Sequence, residues 1–304
     1  MFINMKVWTK IGNIFNKHHS QLPVVDKLED CFRVYYSTRD SQGRSIPMFI
    51  DFNKSDFKTK REPTKINLSL GRPGMFDWSG IMPTEIITLE NGVKYLYYIG
   101  WSRRLDVPYH NNLGLAISED GIKWEKYSDG PIFHTSSEEP GYIGTVGILV
   151  EDNIWKMWYL SCRDWIEHNG IMEPIYDIKY AISEDGIKWS TTNLTSIPLV
   201  GDEGGISAAR IIKDDKYYMY FSVRNKINYR ENSEDSYRIK MAVSEDGINW
   251  NRLNDNVIDI SDDGWDNFMV CYPYLIRNDN QMLMFYNGNG FGKSGIGVCE
   301  NIYK

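Results

Sequence analysis

Ala116-Ile-Ser-Glu-Asp-Gly-Ile-Lys-Trp124 recurs as Ala181-Ile-Ser-Glu-Asp-Gly-Ile-Lys-Trp189 and again as Ala242-Val-Ser-Glu-Asp-Gly-Ile-Asn-Trp250. The tryptophans stand 65 and then 61 residues apart, a period too long for the helical and leucine-rich repeats. Within the phrase, Asp-Gly is the chemistry of a tight hairpin whose central residues take positive φ, and the flanking apolar residues belong to two antiparallel strands. The tryptophan after the turn is expected on the returning strand, packed between neighbouring sheets.

Upstream of each hairpin lie two further strand-like runs. Ile81-Met-Pro-Thr-Glu-Ile-Ile87 goes with Lys94-Tyr-Leu-Tyr-Tyr-Ile99, and Thr145-Val-Gly-Ile-Leu-Val150 with Trp155-Lys-Met-Trp-Tyr-Leu160. Ser207-Ala-Ala-Arg-Ile-Ile212 goes with Tyr217-Tyr-Met-Tyr-Phe221, and Cys271-Tyr-Pro-Tyr-Leu-Ile276 with Met282-Leu-Met-Phe-Tyr286. Four strands per unit make a propeller blade. Gln21-Leu-Pro-Val-Val25, Phe32-Arg-Val-Tyr-Tyr-Ser37 and Pro47-Met-Phe-Ile-Asp51 fit a first, irregular copy. The expected fold is therefore all-β, one domain over 1–304: a five-bladed β-propeller with four-stranded antiparallel blades around a central channel. The blades fall near 19–55, 77–128, 141–195, 203–255 and 266–302, with the N-terminal segment closing the ring.

Composition agrees and removes several functions. Aromatic residues make up 14% of the chain, with 20 Tyr and 10 Trp, suited both to half-buried strands and to the apolar faces of sugars. The net charge of -7 comes with no basic stripe, which excludes the electrostatic footprint of a nucleic-acid binder. Cys31, Cys162, Cys271 and Cys299 are widely spaced, without a CxxC pair or histidines at metal-ligand spacing, so they read as buried free thiols and no metal or cofactor is expected. The stretch 1–12 has no apolar core of a signal sequence, and no apolar run approaches the ~20 residues of a membrane span. A cytoplasmic location is the resulting expectation.

In register, the first strands align Pro23, Pro83, Val146, Ala209 and Pro273. The second strands end in Ser37-Thr-Arg-Asp40, Gly100-Trp-Ser-Arg103, Ser161-Cys-Arg-Asp164, Ser222-Val-Arg-Asn225 and Asn287-Gly-Asn-Gly290. A propeller gathers such strand ends around one mouth of its channel, so this ring of Arg, Asp and Asn is expected to converge on a pocket.

With Ser-x-Asp-Gly-x-x-Trp in the repeated hairpin and Arg-Asp at strand ends, the chain resembles the five-bladed propeller glycosidases of the glycoside hydrolase 43, 32/68, 62 and 130 groupings. Phe76-Asp-Trp-Ser-Gly-Ile-Met-Pro83, Tyr97-Tyr-Ile-Gly-Trp101, Asn112-Leu-Gly-Leu-Ala116, Cys271-Tyr-Pro273 and Tyr286-Asn-Gly-Asn-Gly290 resemble more closely an uncharacterised bacterial glycosidase-like branch. The resemblance implies hydrolysis by paired carboxylates. It also exposes a departure: where those families start the first inner strand with Asp-Pro, this chain has Gln21-Leu-Pro23.

Glycoside hydrolysis needs two carboxyl groups flanking the bond. Asp77 and Glu203, in glycine-containing loops that lead into inner strands, and Asp40, at the end of a second strand, are the candidate catalytic acids. Glu139 and Asp266 occupy places similar to Asp77 but read more naturally as turn residues. Candidate sugar-binding residues are His19, Gln21, Arg39, Trp101, Arg163, Asp164, Arg210, Arg224, Tyr272 and Asn287. Each Arg-Asp pair has two readings: a bidentate grip on a carboxylate or phosphate of the ligand, or an ion pair between blades. The partner expected is a carbohydrate or sugar conjugate. Three activities remain open, namely hydrolysis, phosphorolysis or transfer, and non-catalytic binding in polysaccharide assembly. Oligomeric state is not legible.

Overall fold

The computed structural model describes residues 8–302. The stretch 1–7, part of the segment read for a leader, lies outside the described residues. After β1 (Thr9–Phe15), strands β2 (Gln21–Lys27), β3 (Cys31–Arg39), β4 (Ser45–Asn53) and β5 (Thr59–Lys65) pair in order, each antiparallel to the last. The same meander repeats in β6 (Gly80–Thr88), β7 (Lys94–Arg103), β8 (Tyr109–Ser118) and β9 (Glu125–Lys126). It repeats in β10 (Ile143–Glu151), β11 (Ile154–His168), β12 (Ile171–Ser183) and β13 (Ser190–Ile197). A further copy runs through β14 (Glu203–Lys213), β15 (Tyr217–Asn225), β16 (Arg238–Ser244) and β17 (Asn251–Arg252).

The remaining strands are β18 (Cys271–Asn278), β19 (Gln281–Asn287) and β20 (Ile296–Ile302), and the fourth place beside β20 is taken by β1 from the other end of the sequence. Single parallel bridges, Ser45 to Gly80 and Tyr176 to Gly205, merge neighbouring units, so hydrogen bonding defines three sheets. The first strands meet in sequence: β2 packs on β6, β6 on β10, β10 on β14, β14 on β18, and β18 back on β2.

The repeated phrase behaves differently from a two-residue hairpin. Only its glycine takes positive φ, at 68° for Gly121, 73° for Gly186 and 75° for Gly247. The aspartate serves as a cap instead: Asp120 Oδ1 accepts the N–H groups of Ile122 and Lys123 at 2.8 and 2.7 Å, and Ser118 Oγ accepts those of Asp120 and Gly121. Asp185 with Ser183 and Asp246 with Ser244 do the same. Each tryptophan falls just before the returning strand.

The turn docks one unit on the one before it. Gly121 O accepts from Tyr35 Oη at 2.7 Å, Gly186 O from Tyr97 Oη at 2.8 Å and Gly247 O from Trp158 Nε1 at 3.0 Å. Trp124, Trp189 and Trp250 pack edge-on against those same three rings, at centroid distances of 5.7, 6.4 and 6.1 Å. The tryptophans thus lie between neighbouring units, as their spacing predicts.

Candidate active site

Every first strand carries a register shift near its start, between Gln21 and Val24, Pro83 and Glu85, Ile143 and Val146, Ser207 and Arg210, and Cys271 and Tyr274. At three of these bulges a residue other than glycine sits in the left-handed region: Leu22 (φ 62°), Ala208 (φ 51°) and Tyr272 (φ 56°). That conformation costs roughly 1–2 kcal/mol per residue. The amides turned out of the ladder are held from the side. Leu22 N donates to Asn287 Oδ1 at 2.8 Å, Ala208 N to Thr145 Oγ1 at 2.7 Å and Tyr272 N to Ser222 Oγ at 2.7 Å. Side chains of the neighbouring unit thereby fix the shape of the bulged strand starts.

These bulges line a cavity of about 330 Å³. All five first strands reach it, through Gln21 and Leu22, Met82, Gly144 and Thr145, Ser207, and Tyr272. Its walls are rich in rings: Trp101, Tyr109, Tyr142, Tyr176, Tyr229, Tyr237 and Phe291 join Tyr272. The volume lies at the lower end of the range for small-molecule sites, and apolar rings with a few polar groups are what a sugar's two kinds of surface require.

The polar groups are chiefly cationic or neutral. Arg39 is half-buried at the wall; its Nη2 donates to Gln21 Oε1 at 2.6 Å, its Nη1 donates to Ser45 Oγ, and its guanidinium lies 5.8 Å from the Trp101 ring. Trp101 Nε1 donates to the same Ser45 hydroxyl at 2.8 Å. Burial, helped by the Arg39 charge, lowers the pKa of His19 and keeps its imidazole neutral at pH 7. Behind the wall, Arg224 is buried between Tyr176 and Tyr229, 4.9 and 4.0 Å from their rings. Its Nε donates to Tyr176 Oη at 3.2 Å, and that phenol shares a hydrogen bond with Tyr237 Oη. Tyr229 Oη and Arg230 Nη1 both donate to Glu173, a buried carboxylate on β12. Among the described residues no Asp or Glu lines the cavity, and Glu173 is the carboxylate bonded to residues that do.

His19, Gln21, Arg39, Trp101 and Tyr272, expected to bind sugar, are thus brought together on the wall. The other expected residues lie elsewhere. Arg210 crosses the channel, donating to Glu85 at 3.0 Å, to Pro273 O at 3.3 Å, and to the carbonyls of Val146 and Thr84, so its hydrogen-bonding capacity is taken up by the channel itself. Asn287 spends its amide on Leu22 N, Ser20 O and Gly295 O. Arg163 pairs with Asp177 at 2.8 Å, and Asp164 accepts the N–H of Trp165. Arg224 stands behind the tyrosines rather than on the wall.

The three expected catalytic acids are also outside the cavity lining. Asp40 closes its own turn, accepting from Gln42 N, Arg44 N and Arg44 Nε. Asp77 is buried against Lys126 at 2.5 Å, and Glu203 takes a bidentate grip from Arg252 at 2.6 and 2.8 Å. Glu139 with Lys179 at 3.0 Å and Asp266 with Lys10 at 2.8 Å repeat that arrangement. In four units, then, an acid at the entry to the first strand holds a base on the third or fourth strand of its own unit.

Sequence reasoning missed Tyr109, Tyr142, Tyr176, Tyr229, Arg230 and Tyr237 because none recurs at a fixed place in the repeat. The β11–β12 ladder continues for five more pairs, Asp164 to Ile175 through His168 to Ile171, beyond the bulge at Cys162, and this extension backs the wall from outside, through Trp165 on Tyr109 and Tyr142 and through Glu173.

No family model matches the chain. Several solved structures share its fold. One glycoside hydrolase aligns with a TM-score of 0.72 at 18% identity, covering 98% of this chain and 91% of that one. A glycosyl hydrolase from Bacteroides ovatus aligns with a TM-score of 0.68 at 16% identity, covering 94% and 84%. A thermostable family-43 glycoside hydrolase also aligns with a TM-score of 0.68 at 16% identity, covering 94% and 90%. At these identities the likeness establishes the all-β fold of the propeller glycosidases. Closer in sequence are the uncharacterized proteins MT1551 and Rv1502 of Mycobacterium tuberculosis strains CDC 1551 / Oshkosh and ATCC 25618 / H37Rv, each 33% identical over 310 residues that cover 97% of this chain and 99% of the relative. The protein is a member of the same family as MT1551 and Rv1502 of Mycobacterium tuberculosis.

Proposed function

We propose that the protein is a carbohydrate-active enzyme acting on a glycosidic bond, and that the aromatic cavity at the bulged strand starts receives the sugar. The observation that carries this reading is the wall itself: Trp101, Tyr109, Tyr142 and Tyr272 offer rings to C–H faces while Gln21, Thr145, Ser207 and Asn111 offer hydrogen bonds to hydroxyls. We read the five antiparallel units as the blades of one five-bladed propeller, with β1 closing the ring; the cyclic packing of the first strands supports this. The glycosidase structures that share the fold support the activity class.

The acid at the centre of the chemistry is assigned to Glu173 acting with Tyr229, since that pair is hydrogen-bonded and Tyr229 faces the cavity. Asp77, Glu203 and Asp40 are assigned to the scaffold because the bases that pair with them lie outside the cavity lining, whereas Arg230 and Tyr229, which hold Glu173, both line it. The test is a panel of glycosides and oligosaccharides, assayed with and without inorganic phosphate to separate hydrolysis from phosphorolysis. Turnover is expected to fall at least ~100-fold in Glu173→Gln with binding retained, and to survive in Asp77→Asn and Glu203→Gln protein that remains folded. Sugar binding by the natural protein without turnover of any compound would reassign it to non-catalytic carbohydrate binding.

A further inference from the structure

Charge distinguishes this cavity from the rest of the molecule. The chain carries 41 acidic against 34 basic residues, yet among the described residues no Asp or Glu lines the cavity, while Arg39 and Arg230 do, Arg230 being paired with Glu173 behind the wall. Elsewhere buried or half-buried arginines meet carboxylates: Arg33 pairs with Asp51 at 2.8 Å, Arg210 with Glu85 at 3.0 Å and the half-buried Arg252 with Glu203 at 2.6 Å. Arg39 does not. Its hydrogen bonds go to two neutral oxygens, of Gln21 and Ser45, and it forms no ion pair among the described residues. A guanidinium has five N–H donors and is always charged, so this one keeps donors and an uncompensated charge at the edge of the cavity. Arg224 adds a second cation without a carboxylate, buried directly behind Tyr176 and Tyr229.

We propose that the ligand of this cavity is a sugar bearing a fixed negative charge, a carboxylate or a phosphate, and that Arg39 receives that charge. This rests on the carbohydrate reading above and adds the class of substrate. The Gln21 and Ser45 contacts hold the guanidinium plane beside Trp101, so the anion and the sugar ring are met by adjoining groups. A planar fork of N–H donors matches either anion in bidentate fashion. The potential of Arg224 acts through the thin tyrosine layer, in surroundings of low dielectric where a charge reaches further than in water.

The experiment is calorimetric titration of the full-length protein with matched probes: galactose against galacturonate, glucose against glucuronate, glucose against glucose 1-phosphate and glucose 6-phosphate, and inorganic phosphate alone. The natural protein is expected to bind at least one charged probe about tenfold or more tightly than its neutral counterpart, with affinity falling as salt is raised. Arg39→Gln should erase the preference, and Arg39→Lys should keep part of it. A preference confined to uronates identifies a carboxylate, and one confined to the phosphates identifies a phosphoryl group. Both support the proposal. Equal binding of charged and neutral sugars overturns it while leaving the carbohydrate reading intact, and needs no variant to fold. A preference that survives Arg39→Gln overturns the role of Arg39. Tight binding of inorganic phosphate with no gain from an attached sugar overturns the carbohydrate reading but leaves an anion site, and no binding of any probe overturns both.

Discussion

Trp101 is held from two sides, its indole nitrogen on Ser45 and its face near Arg39, so it presents a fixed plane to the cavity. Trp101→Ala is expected to weaken sugar binding about tenfold, read by titration, with little change in melting temperature because Trp101 is not fully buried. His19 adds a pH dependence. Its folded pKa lies below the ordinary 6.5 through burial and then the Arg39 charge, so the fold favours the neutral ring. The stability this contributes is present above the unfolded pKa and is lost as pH falls through the lowered folded one. A bound anion stabilises the protonated ring, so affinity for a charged sugar should rise as pH falls toward that lowered folded pKa, and His19→Gln should flatten that rise. At this scale the sequence told only part of the story. His19, Gln21, Arg39, Trp101 and Tyr272 were legible because strand ends at a propeller mouth can be aligned. Asp77 and Glu203 were picked out by the same alignment, and the structure places them in ion pairs outside the cavity lining. Recurrence at a fixed register marks what the units share, here in four of them an acid that ties the entry of the first strand to an outer strand, whereas the aromatic wall is made where the copies differ.

Among the elements, the bulged first strands and the docking turns carry separate duties. Thr145 on β10 holds the Ala208 amide of β14, across two units. Thr145→Val keeps the shape and removes the acceptor, leaving a buried N–H unsatisfied; a loss of about 1–3 kcal/mol in denaturant unfolding is expected, together with weaker ligand binding as the bulge relaxes. The turns should respond differently. An alanine at position 121 would occupy φ 68° with its methyl 3.0 Å from Tyr35 Oη, so Gly121→Ala is expected to cost about 1–2 kcal/mol of stability and leave the cavity's affinity unchanged. The strand assignments were legible from alternation and turn chemistry. The turn type was not, because Asp-Gly suits both a tight hairpin and an aspartate-capped loop, and the choice is made by the ring of the neighbouring unit that the glycine carbonyl must reach.

For the molecule as a whole, ion pairs inside units and aromatic contacts between them work together to set shape. Asp77, buried against Lys126, illustrates the first. Asp77→Asn leaves the ammonium without its buried carboxylate and should destabilise the protein by about 3 kcal/mol in thermal or chemical unfolding, while sugar affinity stays within about twofold. The repeating antiparallel meanders could be traced in the sequence because one phrase is nearly invariant in three units, and the other runs were found by matching strand patterns. What could not be traced was the wall built by Tyr109, Tyr142, Tyr176 and Tyr229, since it assembles from two strand starts, the middle of β12 and a loop of different units.

The pairing of β1 with β20 has a consequence in time. The partner of Thr9–Phe15 is Ile296–Ile302, so β1 must wait unpaired until the chain has been synthesised through β20. Such a distant closure makes folding slow, and leaves a strand edge open to other chains meanwhile. Lys10, Asn13 and the polar start of β1 make that waiting strand less adhesive, and once in place Lys10 latches onto Asp266. Synthesis of β20 and the pairing of β1 are thereby linked, and a ribosome-bound chain that lacks β20 is expected to remain sensitive to protease at β1.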